Sequence, residues 1–123
     1  MRKIYVAESS KELSGRERVM FIQGSSTINK LRDLTNGGNE VVFKPTDYAI
    51  INKEDPDAPD KNSNTLVIID DEGNMYSTGS KSAIESFKAI FEAMKGEEPY
   101  EVKFLQISSR QNPGQMYLSC ELI

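Results

Sequence analysis

The chain has 123 residues, 37% hydrophobic and 28% charged, with 19 acidic against 15 basic side chains and a formal charge of −4. A chain of this length buries roughly two thirds of its unfolded surface as one compact domain, without a metal or disulfide staple. With Cys120 the single cysteine and no histidine present, an internal disulfide, a tetrahedral Cys/His zinc site and histidine-based acid–base or triad chemistry are excluded. The acid excess also counts against a generic polyanion binder, because non-specific nucleic-acid affinity comes mainly from Lys and Arg neutralising phosphates.

In Met1-Arg2-Lys3-Ile4-Tyr5-Val6-Ala7-Glu8 charge returns too soon for a signal-peptide core. Apolar runs such as Leu66 to Ile69 fall far short of the roughly 20 residues that span a bilayer. The expectation is a soluble, cytoplasmic protein in which Cys120 is a small buried hydrophobe in a reducing compartment. Arg18 to Gln23 reads as a strand or short helix. Ile28, Leu31 and Leu34, spaced by three after Ser25-Ser26, predict a short helix over Ser25 to Leu34, closed by Gly37-Gly38. Residues 1–38 are too few for a core of their own and read as a strand/helix extension packed on the rest.

From Glu40 the chain turns β-rich. Glu40 to Asn52 is one strand, with a bulge, edge or break at Pro45, which cannot donate to a ladder. The polar stretch 53–64, rich in Pro, Asp and Asn, is an exposed loop leading to a second strand, Thr65 to Asp71. Asp70-Asp71-Glu72-Gly73-Asn74 marks a tight turn into a third strand, Met75 to Thr78. Ser80 or Ser82 then caps a helix with Ala83, Ile84, Phe87, Ile90, Phe91 and Met94 on one face, ended by Gly96 and Pro99. Strands Tyr100 to Ile107 and Met116 to Leu122 follow as a hairpin. A helix between the third and fourth of five strands is the element order of an OB-fold, a mainly β, five-stranded Greek-key barrel whose end the helix plugs. One such barrel over 40–123 carrying the 1–38 extension is the predicted architecture.

The run Leu66 to Lys81, the helix segment Ile84 to Phe91, Glu98-Pro99-Tyr100, Val102-Lys103 and Gly114 to Leu122 together resemble small single-stranded-DNA-binding proteins encoded by phages of Gram-positive bacteria. The likeness covers roughly residues 40–123 and, more loosely, Ser25 to Leu34. It implies an OB-fold that coats single-stranded DNA in phage replication or recombination, in the host cytoplasm, with proteins of those processes as further partners and an oligomer admissible. The chain lacks the long acidic tail of larger bacterial relatives, so recruitment through such a tail is not expected.

Sequence-tolerant binding of a single strand needs aromatic faces for bases and cations for phosphates. Tyr48, Tyr76, Tyr100 and Tyr117 lie in or beside predicted strands, with Phe43 a further candidate. Lys44, Lys53, Lys61, Lys81, Lys103 and Arg110 are the candidate cations; Lys53, Lys61 and Arg110 belong to the two loops that border an OB-fold's binding face. The alternative for each aromatic is packing on the barrel, and for each cation an ordinary solvated charge. The clusters Asp70-Asp71-Glu72 and Glu54-Asp55-Pro56-Asp57 lack the spacing of an EF-hand and read as turn and loop. Gly37-Gly38 lacks the Lys-Ser/Thr of a phosphate loop, and Gly24-Ser25-Ser26 only weakly suggests an anion nest. The expectation is a non-enzymatic single-stranded-DNA-binding protein without metal or cofactor. A small acidic protein-interaction module, such as a phage protein that binds or inhibits a host factor, is the other reading, motivated by net charge, since an acidic surface can mimic DNA or dock on basic partners.

Overall fold

The computed structural model describes residues 3–27, 29–58, 60, 62–108, 111 and 114–123. In chain order the elements are β1 (Lys3–Ser9), α1 (Gly15–Thr27), α2 (Leu31–Leu34), a 3-10 turn (Asn36–Gly38), β2 (Val41–Phe43), β3 (Pro45–Glu54), β4 (Ser63–Asp70), β5 (Met75–Thr78), α3 (Lys81–Ala93), β6 (Val102–Ser108) and β7 (Met116–Leu122). The protein is mainly β, with two antiparallel sheets ordered β1-β3-β4-β5 and β2-β6-β7. Among the described residues no helix is long and apolar enough to cross a membrane.

Pro45 has the effect that its missing N–H demands. β2 and β3 form one extended run separated only by Lys44; β2 pairs with β6, β3 pairs with β4, and the register of the second ladder shifts between Pro45 and Asp47. The run therefore passes from one sheet to the other where its ladder cannot continue. At the turn between β4 and β5, Gly73 takes a φ of 84°, a conformation that costs glycine no Cβ clash. The Asp70 carboxylate accepts from the backbone N–H groups of Glu72 and Asn74, at 3.0 and 2.8 Å, and from the Tyr76 hydroxyl at 3.2 Å. The acidic cluster is thus a turn device. Ser80 caps α3, its side chain accepting from the Ala83 N–H, and Ala83 and Phe87 are buried.

The first-named sheet is covered on both faces, and the strand period shows how. Tyr48, Ile50, Leu66 and Ile68 point into the main core with Phe43, Phe87, Val102, Phe104 and Leu118. Their alternates Ala49, Ile51 and Val67 join Leu13 and Phe21 in a second core, with Val6, Ile22, Ile69 and Met75 against it. A strand buried on both sides shows a continuous apolar run instead of alternation, which is what Ala49 to Ile51 and Leu66 to Ile69 display.

Residues 3–35 depart most from expectation. Lys3–Ser9 is a strand, pairing with β3 from Glu54 to Ala49. The strand-or-helix segment Arg18 to Gln23 lies inside the thirteen-residue helix α1. The single helix expected over Ser25 to Leu34 is instead the end of α1 and the four-residue α2, with Ile28 outside the described residues. Ser14 and Glu17 start α1 as a reciprocal capping box: Ser14 Oγ accepts from the Glu17 N–H, and Glu17 Oε1 accepts from the Ser14 N–H. Lys11, hydrogen-bonded to the Glu17 carboxyl, and the Ser14 cap hold that carboxyl below the usual carboxylate range.

Candidate functional site

A groove of about 760 Å³ opens where the two sheets meet. One wall is the short α2 segment. Leu31 is fully buried in the main core, so its neighbours Lys30 and Arg32 are held at the rim, and both line the groove. The segment is fixed to both sheets: Lys30 forms a parallel bridge with Ser77 of β5, the Ser77 N–H donates to the Asn29 carbonyl at 3.0 Å, and Gln106 Nε2 of β6 donates to the Arg32 carbonyl at 2.9 Å. Lys53, near the end of β3, reaches the groove and donates to Ser26 Oγ at 3.3 Å. The floor is hydroxyl-rich, with Ser25, Thr65, Ser77, Thr78 and Ser80; Met116, Tyr117 and Leu118 of β7 close the far side. Ser82 Oγ ties the start of α3 to β7 by donating to the Leu118 carbonyl at 3.1 Å.

Among the described residues, three cations and no carboxylate line this groove, in a chain whose net charge is −4. Ion pairs lie elsewhere: Lys11 meets Glu17 and Asp47, Lys88 meets Glu8, and Lys103 meets Glu40 and Glu121. Among the described residues, none of Lys30, Arg32 and Lys53 is engaged by an acid, so their charge is available to an anion. Among the same residues, no group of three or more acids or cysteines is placed to hold a metal ion.

The candidate residues named from sequence separate into distinct environments. Tyr117 is 43% exposed and borders the groove, as Lys53 does. Lys81 is exposed at the start of α3, next to the lining residue Ser80, and Lys44 is exposed between β2 and β3. Lys103 lies between two carboxylates, at 3.8 and 3.7 Å. Lys61 and Arg110 lie outside the described residues.

The other candidate aromatics pack in or against the main core. Phe43 is buried and stacks on Tyr76 at 4.2 Å and on Phe104 at 5.7 Å. Tyr48 packs edge-on against Phe87 and Phe91 of α3, at 5.6 and 5.1 Å. Tyr100 is buried, and burial pushes its phenol up to about 12. Tyr76, half-buried, has its phenol raised by burial and by the charge of Asp70, to which it donates. Phe43, Tyr48, Tyr76 and Tyr100, expected from sequence as candidate platforms, thus sit in or against the main core, and the first three bind α3, β5 and β6 to the β2–β3 run.

Sequence reasoning missed Lys30 and Arg32. Their signal was the cation–apolar–cation triplet Lys30-Leu31-Arg32, in which one anchored leucine presents both neighbours outward. No family model, curated protein or solved structure matches the chain.

Proposed function

We propose that the protein is a non-enzymatic single-stranded-DNA-binding protein built on an OB-type barrel, and that the strand lies in the groove between the sheets. The carrying observation is a groove lined, among the described residues, by three cations that no acid engages and by no carboxylate, in an acidic chain. Lys30, Arg32 and Lys53 contact phosphates, and Tyr117 offers a base a face to stack on. The barrel reading is supported by the long run split at Lys44 that pairs with both hairpins, and by α3 lying between β5 and β6 against the main core. The exterior of β3-β4-β5 has no part in binding, because α1 covers it.

The test is fluorescence anisotropy with labelled dT20 at low salt, with duplex and RNA of equal length for comparison. Micromolar or tighter binding to dT20 is expected, weakened roughly tenfold or more when Lys30, Arg32 and Lys53 are all changed to Ala. No binding of the wild-type protein at low salt contradicts the proposal.

A further inference from the structure

We infer that Gln106 is a positioning residue of the groove: it fastens the end of α2 to the β2-β6-β7 sheet and thereby holds the Arg32 guanidinium where a phosphate of the bound strand meets it. This rests on the groove reading and adds to it a residue that acts through Arg32.

A helix of four residues has few bonds of its own, because the last four carbonyls of any helix lack partners within it. In Leu31–Leu34 the Leu31 carbonyl accepts from the Thr35 N–H at 3.0 Å and from the Thr35 hydroxyl at 2.7 Å. Thr35 Oγ1 also lies 3.3 Å from the Arg32 carbonyl, but its one proton goes to the shorter contact. The Arg32 carbonyl is met instead from the other sheet. Gln106 Nε2 donates to it at 2.9 Å and to Thr35 Oγ1 at 3.1 Å. A carbonyl only accepts, so the amide nitrogen must face it, and both amide protons are spent on this segment.

The attachments divide along the chain. The beginning of the segment belongs to β5: Lys30 bridges Ser77, the Ser77 N–H donates to the Asn29 carbonyl, and Asn29 Nδ2 donates to the Met75 carbonyl at 3.3 Å. Leu31 pins the middle in the main core. The end belongs to β6 through Gln106, whose partner across the β6–β7 ladder, Leu118, is itself buried. The segment thus straps one sheet to the other along the groove wall. With Gln106 removed, the Arg32 end can turn about Leu31, whereas Lys30 keeps its own attachment to β5. The loss therefore falls on Arg32, which is exposed and lines the groove.

The test is a double-mutant cycle in binding, read with labelled dT20 at about 50 mM salt and across a salt series. Gln106→Met keeps the length of the side chain and removes both donors; it is placed in the wild type, in Arg32→Ala and in Lys53→Ala. One lost phosphate contact reduces the steepness of the salt dependence by about 0.7 and the affinity roughly eightfold at that salt. Gln106→Met is expected to weaken the wild type and Lys53→Ala by roughly fivefold or more, and to change Arg32→Ala by less than about twofold. In the wild-type background the slope is expected to move from about −2 toward about −1.4. Gln106→Ser, short enough to admit water to both acceptors, repeats the cycle if the Met variant does not fold. Equal weakening in all three backgrounds marks a general effect on the fold and overturns the assignment, as does unchanged affinity in the wild-type background; with wild-type binding intact, both leave the groove reading standing. An Arg32→Ala variant that binds like the wild type also overturns it, since Gln106 then has no contact to act through. Failure of the wild type to bind dT20 overturns the groove reading and this inference together.

Discussion

Aromatic side chains in short strands carry two meanings that only their neighbours separate. Tyr48 and Tyr117 each sit in a strand, yet one meets Phe87 and Phe91 and the other is exposed. The difference arises from α3, whose apolar face comes from over thirty residues later in the chain than Tyr48. No local pattern around Tyr48 announces that partner. Tyr100 shows the same at a buried hydroxyl: among the described residues its oxygen has no hydrogen-bond partner, and burial, followed by the charge of Glu98, pushes its phenol up to about 12. Burial likewise pushes the Cys120 thiol up to about 12. Both groups hold their proton more tightly when folded, so their contribution to stability is complete below the unfolded values near 9 to 10 and is lost as pH rises toward about 12. The urea midpoint is expected to fall between about pH 9 and 12, and to fall less in Tyr100→Phe; identical alkaline profiles of wild type and variant would contradict this assignment.

At the scale of elements, the β-rich part was legible and the amino-terminal part was not. β5 and β7 coincide with the strands read from sequence, and the break at Pro45 follows from a missing N–H. These elements declare themselves through turn residues and periodicity. β1 is mostly exposed or half-exposed and owes its place to pairing with β3, so its own residues carry little pattern. α1 is poorly amphipathic, with Val19 and Met20 exposed and Phe21 buried, so period counting misses it. Two signals were nevertheless present: the Ser14-Gly15-Arg16-Glu17 capping box, and the unbroken apolar runs that require a cover on both faces of the sheet. If α1 is that cover, Phe21→Ala costs about 3–5 kcal/mol and Ser14→Ala about 1 kcal/mol in urea unfolding. A loss below about 1 kcal/mol for Phe21→Ala would show that the second core contributes little.

For the whole molecule the informative quantity is where charge resides. Acid excess over the chain argues against a polyanion ligand, yet nine of the 19 acids lie in 54–60, 70–72 and 97–98, and among the described residues the charged groups that line the groove are all cations. The site was legible only in part: Lys53 and Tyr117 were named from their places beside a loop and in a strand, whereas Lys30 and Arg32 reach the groove because Leu31 is anchored in a core that the local sequence does not reveal. The central claim is that these cations neutralise the phosphates of a single strand. Releasing counterions from about three phosphates of a single strand gives a slope of about −2 for log affinity against log salt. The decisive measurement is therefore dT20 affinity across a salt series for the wild type and for Lys30→Ala/Arg32→Ala/Lys53→Ala. A slope near −2 that flattens toward zero in the triple variant is the expected result; absence of binding, or a slope that the triple variant leaves unchanged, would contradict the account.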